Sequence, residues 1–256
     1  MRYEPGRTID TDGRQPVGVP TGRQPYHAWR LDVAREFVGN MRDTPISGAV
    51  FRDASGAYLY PLQRIVDDHR AHGRVVVLCP FGWDGSASTQ FSGLSPSRTP
   101  FWYAYLSTLR LWAARFAGQS DVWIEVWNEP YRFDRADGVT DADWLRDMTT
   151  LVRTVREAGN TSIIVVPVAE QGQDERVLLT QGAALAAIAP NVLFDVHAYE
   201  KWLLVDASAM GTRLQQLRAA GLPVLIGEVA PLNAGTLMNP RAFLDSAYAN
   251  GFSISA

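Results

Sequence analysis

Cysteine is almost absent. Cys79 is the only one in 256 residues, so no internal disulfide can form and the fold has to rest on packing. Lysine is as rare: Lys201 stands alone, and every other basic residue is an arginine, scattered rather than run together. With a formal net charge of −3 the chain has no basic stripe, which argues against a nucleic-acid partner. No apolar run is long enough to span a bilayer, so no membrane partner is expected. The opening MRYEPGRTID lacks the apolar segment of a signal peptide, and the chain as it stands is expected to be soluble, either cytoplasmic or already trimmed. There is no Gly-rich phosphate turn, no His-X-His strand motif, no internal repeat beyond a βα unit and no linker between domains. No cofactor and no metal is expected.

What is present is an alternation of apolar strands with amphipathic helices. The densest signal is DVWIEVWNEP, residues 121–130, where a short apolar run consistent with a buried parallel strand ends on Asn128 and Glu129 and is stopped by Pro130. A second run, LPVLIGEVA, also ends on a carboxylate, Glu228. Residues 1–26 read as mostly irregular, with PVGVP a poor candidate strand. Trp29, Val33, Phe37 and Met41 fall four apart and predict a helix with a buried stripe. Residues 46–51 then read as a strand delivering Arg52 and Asp53, and 74–79 (RVVVLC) is the clearest strand of all. Further strands are expected at 162–168, 192–196, 223–227 and 252–256, and helices at 61–72, 101–116, from about 141, 174–188, 207–220 and 240–250. Residues 85–99 form a Ser/Gly/Pro loop too long for a plain connection and so a candidate binding loop.

Seven strands, each but the last followed by a helix and with every polar end pointing the same way, predict one α/β domain over 1–256, best met by a (β/α)8 TIM barrel. A doubly wound open sheet is the alternative, but it normally carries a Gly-rich phosphate turn.

The Asn128-Glu129-Pro130 triplet, the His197-Ala198-Tyr199 segment and Gly227-Glu228, each at the end of an apolar strand, resemble in order and spacing the retaining glycoside hydrolases of clan A. The nearest resemblance is to family 5, the cellulase and mannanase family, and it covers roughly residue 46 to the C-terminus. It implies a retaining β-glycosidase acting on a β-linked glucan or mannan oligo- or polysaccharide, with a cellulase-like endoglucanase favoured. It also implies secretion, although this chain shows no signal peptide. Glu129 would be the acid/base and Glu228 the nucleophile, two carboxylates about 5 to 5.5 Å apart.

By the same resemblance Asn128 would bind the sugar 2-hydroxyl, Tyr199 would donate to the nucleophile, His197 would bind a sugar hydroxyl or the acid, and Arg52 would orient Glu228. Trp83 and Trp202 follow strand ends and are expected to stack on sugar faces; Trp29, Trp102, Trp112, Trp123 and Trp144 are expected to pack in the core, and Trp127 is left open because its neighbour Asn128 takes the mouth-facing direction. The chain departs from the family in two places. The third strand lacks the usual histidine, offering Phe81, Trp83 and Asp84 instead, and the chain ends at Ala256 before an eighth-strand tryptophan. The barrel is therefore expected to be incomplete. The alternatives are a catalytically impaired or non-catalytic carbohydrate-binding barrel, or a metal-dependent hydrolase using His27, His69 and His72.

Overall fold

The computed structural model describes residues 32–254. Seven strands run parallel in one curled sheet, in chain order: β1 (Val33–Val38), β2 (Val75–Pro80), β3 (Val122–Glu125), β4 (Ile164–Pro167), β5 (Val192–Ala198), β6 (Val224–Val229) and β7 (Ser253–Ile254). Five longer helices cover its outer face: α1 (Leu62–Arg70), α2 (Trp102–Arg115), α3 (Asp141–Glu157), α4 (Ala207–Ala219) and α5 (Arg241–Ala249). The sequential order and single direction are those of a (β/α)8 barrel. Among the described residues, β1 and β7 each have one edge without a neighbour.

The strands form because Val, Ile and Leu fill both faces, as a parallel sheet covered by helices requires. Along β5, Phe194 packs against Trp144 of α3, whereas Asp195 and His197, two residues apart, turn the other way into the barrel. The register slips between Val196 and His197, a local irregularity that brings His197 opposite Glu228 of β6. Helix α3 starts on a reciprocal cap in which the Thr140 hydroxyl accepts from the Asp143 amide and the Asp143 carboxylate accepts from the Thr140 amide.

The loop between β2 and α2 is held down by aromatic rings. Trp127, just past β3, stacks on Phe91 at 4.0 Å and donates its Nε1–H to the Phe91 carbonyl. Tyr105 of α2 meets the same indole edge-on at 5.0 Å, and its hydroxyl donates to the Val126 carbonyl. Loop 85–99 is thereby fixed to the exit of β3 by packing as well as by hydrogen bonds.

Two expectations from the sequence are corrected. The stretch around Val33 and Phe37 is a strand, not a helix. A spacing of four is shared by both periodicities, since residues four apart lie on one face of a strand as well as of a helix. Residues 46–51 do not join the sheet; only Phe51–Arg52 is extended, paired antiparallel with Tyr58–Leu59 in a small hairpin. The sheet thus has the expected seven strands, with β1 in place of 46–51. PVGVP, Trp29 and His27 lie outside the described residues. The helix predicted at 174–188 is present over 176–186, with a π-helical stretch, Leu178–Gly182, ahead of its last α-helical turn, Ala183–Ala186.

Gly227 of β6 lies against the buried Asp195 carboxylate: a Cβ there would sit 2.0 Å from Asp195 Oδ1. Gly227→Ala is therefore expected to destabilise the fold by about 1–3 kcal/mol, the usual range for overpacking. A urea denaturation midpoint equal to that of the parent would refute this.

Candidate active site

The site is built on Arg35, from the middle of β1. Its Nε and Nη2 donate to the two oxygens of Glu125 at 2.6 and 2.7 Å, its Nη2 also donates to Asn128 Oδ1 at 2.9 Å, and its Nη1 donates to Glu228 Oε1. Glu125 is fully buried. Burial pushes the Glu125 carboxyl above its ordinary value, against the pull of the guanidinium. Burial likewise opposes the charge on Arg35, but Glu125 and Glu228 more than compensate and hold it well above the usual arginine value. The neighbouring residue Glu36 points the opposite way along the strand and meets His69 Nε2 of α1 at 2.6 Å.

Glu228 lies on β6 between three donors. Arg35 binds one oxygen, the Tyr199 hydroxyl donates to the other at 2.6 Å, and His197 Nε2 stands 3.6 Å from Oε1. Burial acts to raise the Glu228 carboxyl, but the charges of His197 and Arg35 and the Tyr199 hydrogen bond outweigh it and bring it down to about 2. Burial and the adjacent Glu228 hold the Tyr199 hydroxyl above its ordinary value, so it serves as a donor.

Glu129 follows β3 with a left-handed backbone, φ 48°. Its Oε1 faces His197 Nδ1 at 3.0 Å, and its Oε2 accepts from the Ser92 hydroxyl at 2.6 Å. A carboxylate oxygen of Glu129, one of Glu228 and a ring nitrogen of His197 all lie within 4.8 Å of one another. His197 is completely buried between carboxylates; burial works to lower its value, but Glu228 and Asp195 prevail and raise it well above that of a free imidazole. Asn128 turns its Oδ1 to Arg35, which leaves Nδ2 buried without a hydrogen-bond partner among the described residues.

Of the residues singled out in the sequence, Glu129, Glu228, Asn128, His197 and Tyr199 converge here. Three do not. Arg52 sits on the exposed hairpin, its guanidinium over the Tyr58 ring at 4.1 Å. Trp83 is buried and stacked on Phe101 at 5.5 Å. Trp202 is fully buried, with Arg213 at 3.8 Å over its ring, Phe243 packed edge-on and its Nε1–H given to the Gln173 carbonyl. Both indoles are buried among the described residues. Of the histidines weighed as metal ligands, His69 is engaged by Glu36, and His72 Nδ1 lies 2.7 Å from its own helix at the Asp68 carbonyl.

The family described as Cellulase (glycosyl hydrolase family 5) matches residues 58–254, well over half of the chain. The chain belongs to glycosyl hydrolase family 5. Among relatives in that family, a mannan endo-1,4-beta-mannosidase of Cellvibrio japonicus is 29% identical over 139 residues, 53% of this chain and 31% of that protein. Endoglucanase EG-II of Hypocrea jecorina is 26% identical over 218 residues, 81% of this chain and 43% of that protein. The chain thus spans less than half the length of either. Among solved structures, the catalytic domain of a mannanase from Streptomyces sp. SirexAA-E aligns with a TM-score of 0.65 at 20% identity, covering 89% of this chain and 66% of that one. A Thermomonospora fusca β-mannanase in complex with mannohexaose aligns at 0.63 and 18%, covering 99% and 82%. At such identities these likenesses speak to the fold.

Arg35 was missed because its segment resembled a helix. Once VAREFV is read as a strand, Arg35 shares a face with Val33 and Phe37 two residues to either side, and a charge on that face needs a buried acid.

The charges set a pH dependence with opposite signs. Glu228, depressed from 4.5 to about 2, lends stability that is present above pH 4.5 and lost as pH falls toward 2. His197, raised above 6.5, lends stability that is complete below pH 6.5 and lost as pH rises through its folded value. In urea denaturations run as a pH series, the decline in stability from about pH 4.5 down to 2 is expected to be shallower in Glu228→Gln than in the parent. Identical acid limbs would contradict the assignment.

Proposed function

We propose that the chain is a retaining β-glycosidase that hydrolyses a β-linked glucan or mannan by double displacement. The observation that carries the reading is the pair of glutamate oxygens within 4.8 Å. Retaining glycosidases place their carboxyl groups about 5 to 5.5 Å apart, and inverting enzymes need about 6.5 Å or more to admit a water. The two environments also suit a division of labour.

Glu228 is held ionised by Arg35, His197 and Tyr199, as a nucleophile must be. In the first step a Glu228 oxygen bonds to the anomeric carbon as the glycosidic C–O bond breaks, and Glu129 gives its proton to the departing oxygen. In the second, Glu129 takes a proton from water as the water oxygen bonds to the same carbon, releasing Glu228 and restoring the original configuration. The unpartnered Nδ2–H of Asn128 is the donor for the sugar hydroxyl beside the reacting carbon. Tyr199 and Arg35 hold the nucleophile until attack, when its charge passes into the new bond. The mannan-acting and glucan-acting relatives support a β-linked hexose polymer as substrate.

Reducing-sugar release should be detectable from a panel of β-mannan, carboxymethyl-cellulose and mixed-linkage glucan, and NMR should find the β-anomer as the first product. Glu129→Gln is expected to cut turnover about 10²–10⁴-fold, the usual worth of a general acid, and Glu228→Gln to remove it, the latter with a lower thermal melt at neutral pH because the ionised Glu228 lends stability there. An α-anomer formed first, or full activity in either variant, would refute the mechanism.

A further inference from the structure

Glu129 has one neighbour outside the constellation read from the sequence. Ser92, in loop 85–99, donates its hydroxyl to Glu129 Oε2 at 2.6 Å, and Gln171 Nε2 donates to Ser92 Oγ at 2.9 Å. A serine hydroxyl has a single hydrogen. With the Gln171 amide directed at its lone pair, that hydrogen is committed to Glu129.

The backbone around this chain of donors is unusual. Glu170, Gln171 and Gly172, just beyond β4, are all left-handed, with φ of 55°, 55° and 77°. Two consecutive residues with side chains in that region store strain, and such strain persists only where surrounding contacts impose it. Here the contacts are plain. The Glu170 carboxylate is gripped by Arg135 Nε at 2.5 Å and by Lys201. The Gln171 amide donates to the Pro130 and Tyr131 carbonyls at 3.1 and 3.2 Å, immediately after Glu129. Gly172 lies against the His197 ring, where a Cβ would stand 2.7 and 2.8 Å from the ring atoms Cγ and Nδ1. From the other side Gly93 N–H donates to the Glu129 carbonyl at 2.8 Å. One strained turn therefore abuts both groups that hold the Glu129 carboxyl: Ser92 through Gln171, and His197 through Gly172.

We propose that Ser92 and Gln171 form a positioning relay for the acid/base, in which Gln171 orients the Ser92 hydroxyl and Ser92 fixes the rotation of the Glu129 carboxyl toward the leaving oxygen. The proposal rests on the glycosidase reading above. Among the described residues the hydrogen bonds of Ser92 and of the Gln171 side chain run to Glu129 and to each other, while Glu228 is held by Arg35, Tyr199 and His197, so the relay bears on proton delivery rather than on nucleophilic attack. Replacing Gln171 by Glu exchanges a donor for an acceptor and draws the Ser92 hydrogen away from Glu129, which gives a second variant that reaches the same end without removing the hydroxyl.

The test compares leaving groups on aryl β-cellobiosides and β-mannobiosides. A 2,4-dinitrophenolate departs without protonation, whereas a phenolate needs the acid. In Ser92→Ala and in Gln171→Glu, kcat/KM for the phenyl substrate is expected to fall at least about tenfold further than for the dinitrophenyl substrate, within the range that general acid catalysis supplies. The double variant should be no worse than either single, since both cut one path. Equal losses on both leaving groups, or additive losses in the double variant, would overturn the relay while leaving the glycosidase reading intact. A parent chain that turns over neither substrate, nor any polysaccharide, would overturn both.

Discussion

The structure depends on what happens to one guanidinium. Arg35 is removed from water near the centre of the barrel, and a charge in that position is tolerated only if it is paired and its donors are used. The bidentate contact with Glu125 supplies the pairing, and the remaining donors reach Asn128 and Glu228. A lysine has neither the planar fork nor enough donors to do this. Strands β1, β3 and β6 are tied by that group across the barrel interior, and the same contacts determine which end of the Asn128 amide faces the cleft. Positive charge beside Glu228 is thus a by-product of the way the barrel solves its own burial problem.

The two cleft glutamates differ because different donors surround them. Glu228 is flanked by a guanidinium and an imidazolium, which favour its negative charge. Glu129 has a neutral serine hydroxyl on one oxygen and the same His197 ring on the other, with no guanidinium bound to it among the described residues. His197 stands between them, with Asp195 buried behind it, and is the one side chain among the described residues that meets both carboxylates. That position follows from the register slip in β5, without which His197 would not lie opposite Glu228.

Much of this was legible in the sequence, and what was not fails for physical reasons. Glu129 and Glu228 were visible because each closes an apolar run, so that strand direction alone puts it at the mouth. His197 and Tyr199 were visible from their spacing of two. Arg35 was hidden because Val33 and Phe37 suit a helix and a strand equally. Arg52 stood in for it because residues 46–51 are apolar enough to imitate a strand, though they pair only within a hairpin. The tryptophans misled in a different way: Trp83 and Trp202 do follow strand ends, but the sequence carries no sign of Phe101, Phe243 or Arg213 closing over them. Ser92 and Gln171 carry no pattern at all, since each matters only through a contact with a distant segment.

The left-handed residues have a consequence for anyone who wishes to make this protein hardier. A survey of its backbone for sites to relax would settle on Glu129, Glu170 and Gln171, because non-glycine residues there sit in a sparsely populated region at a cost of order 1–3 kcal/mol each. Glycine or asparagine would be more comfortable at every one of them. Yet these three surround the cleft, so relaxing them would disturb it, whereas Ala234, left-handed at φ 45° in the hairpin after β6, could take a glycine without touching it.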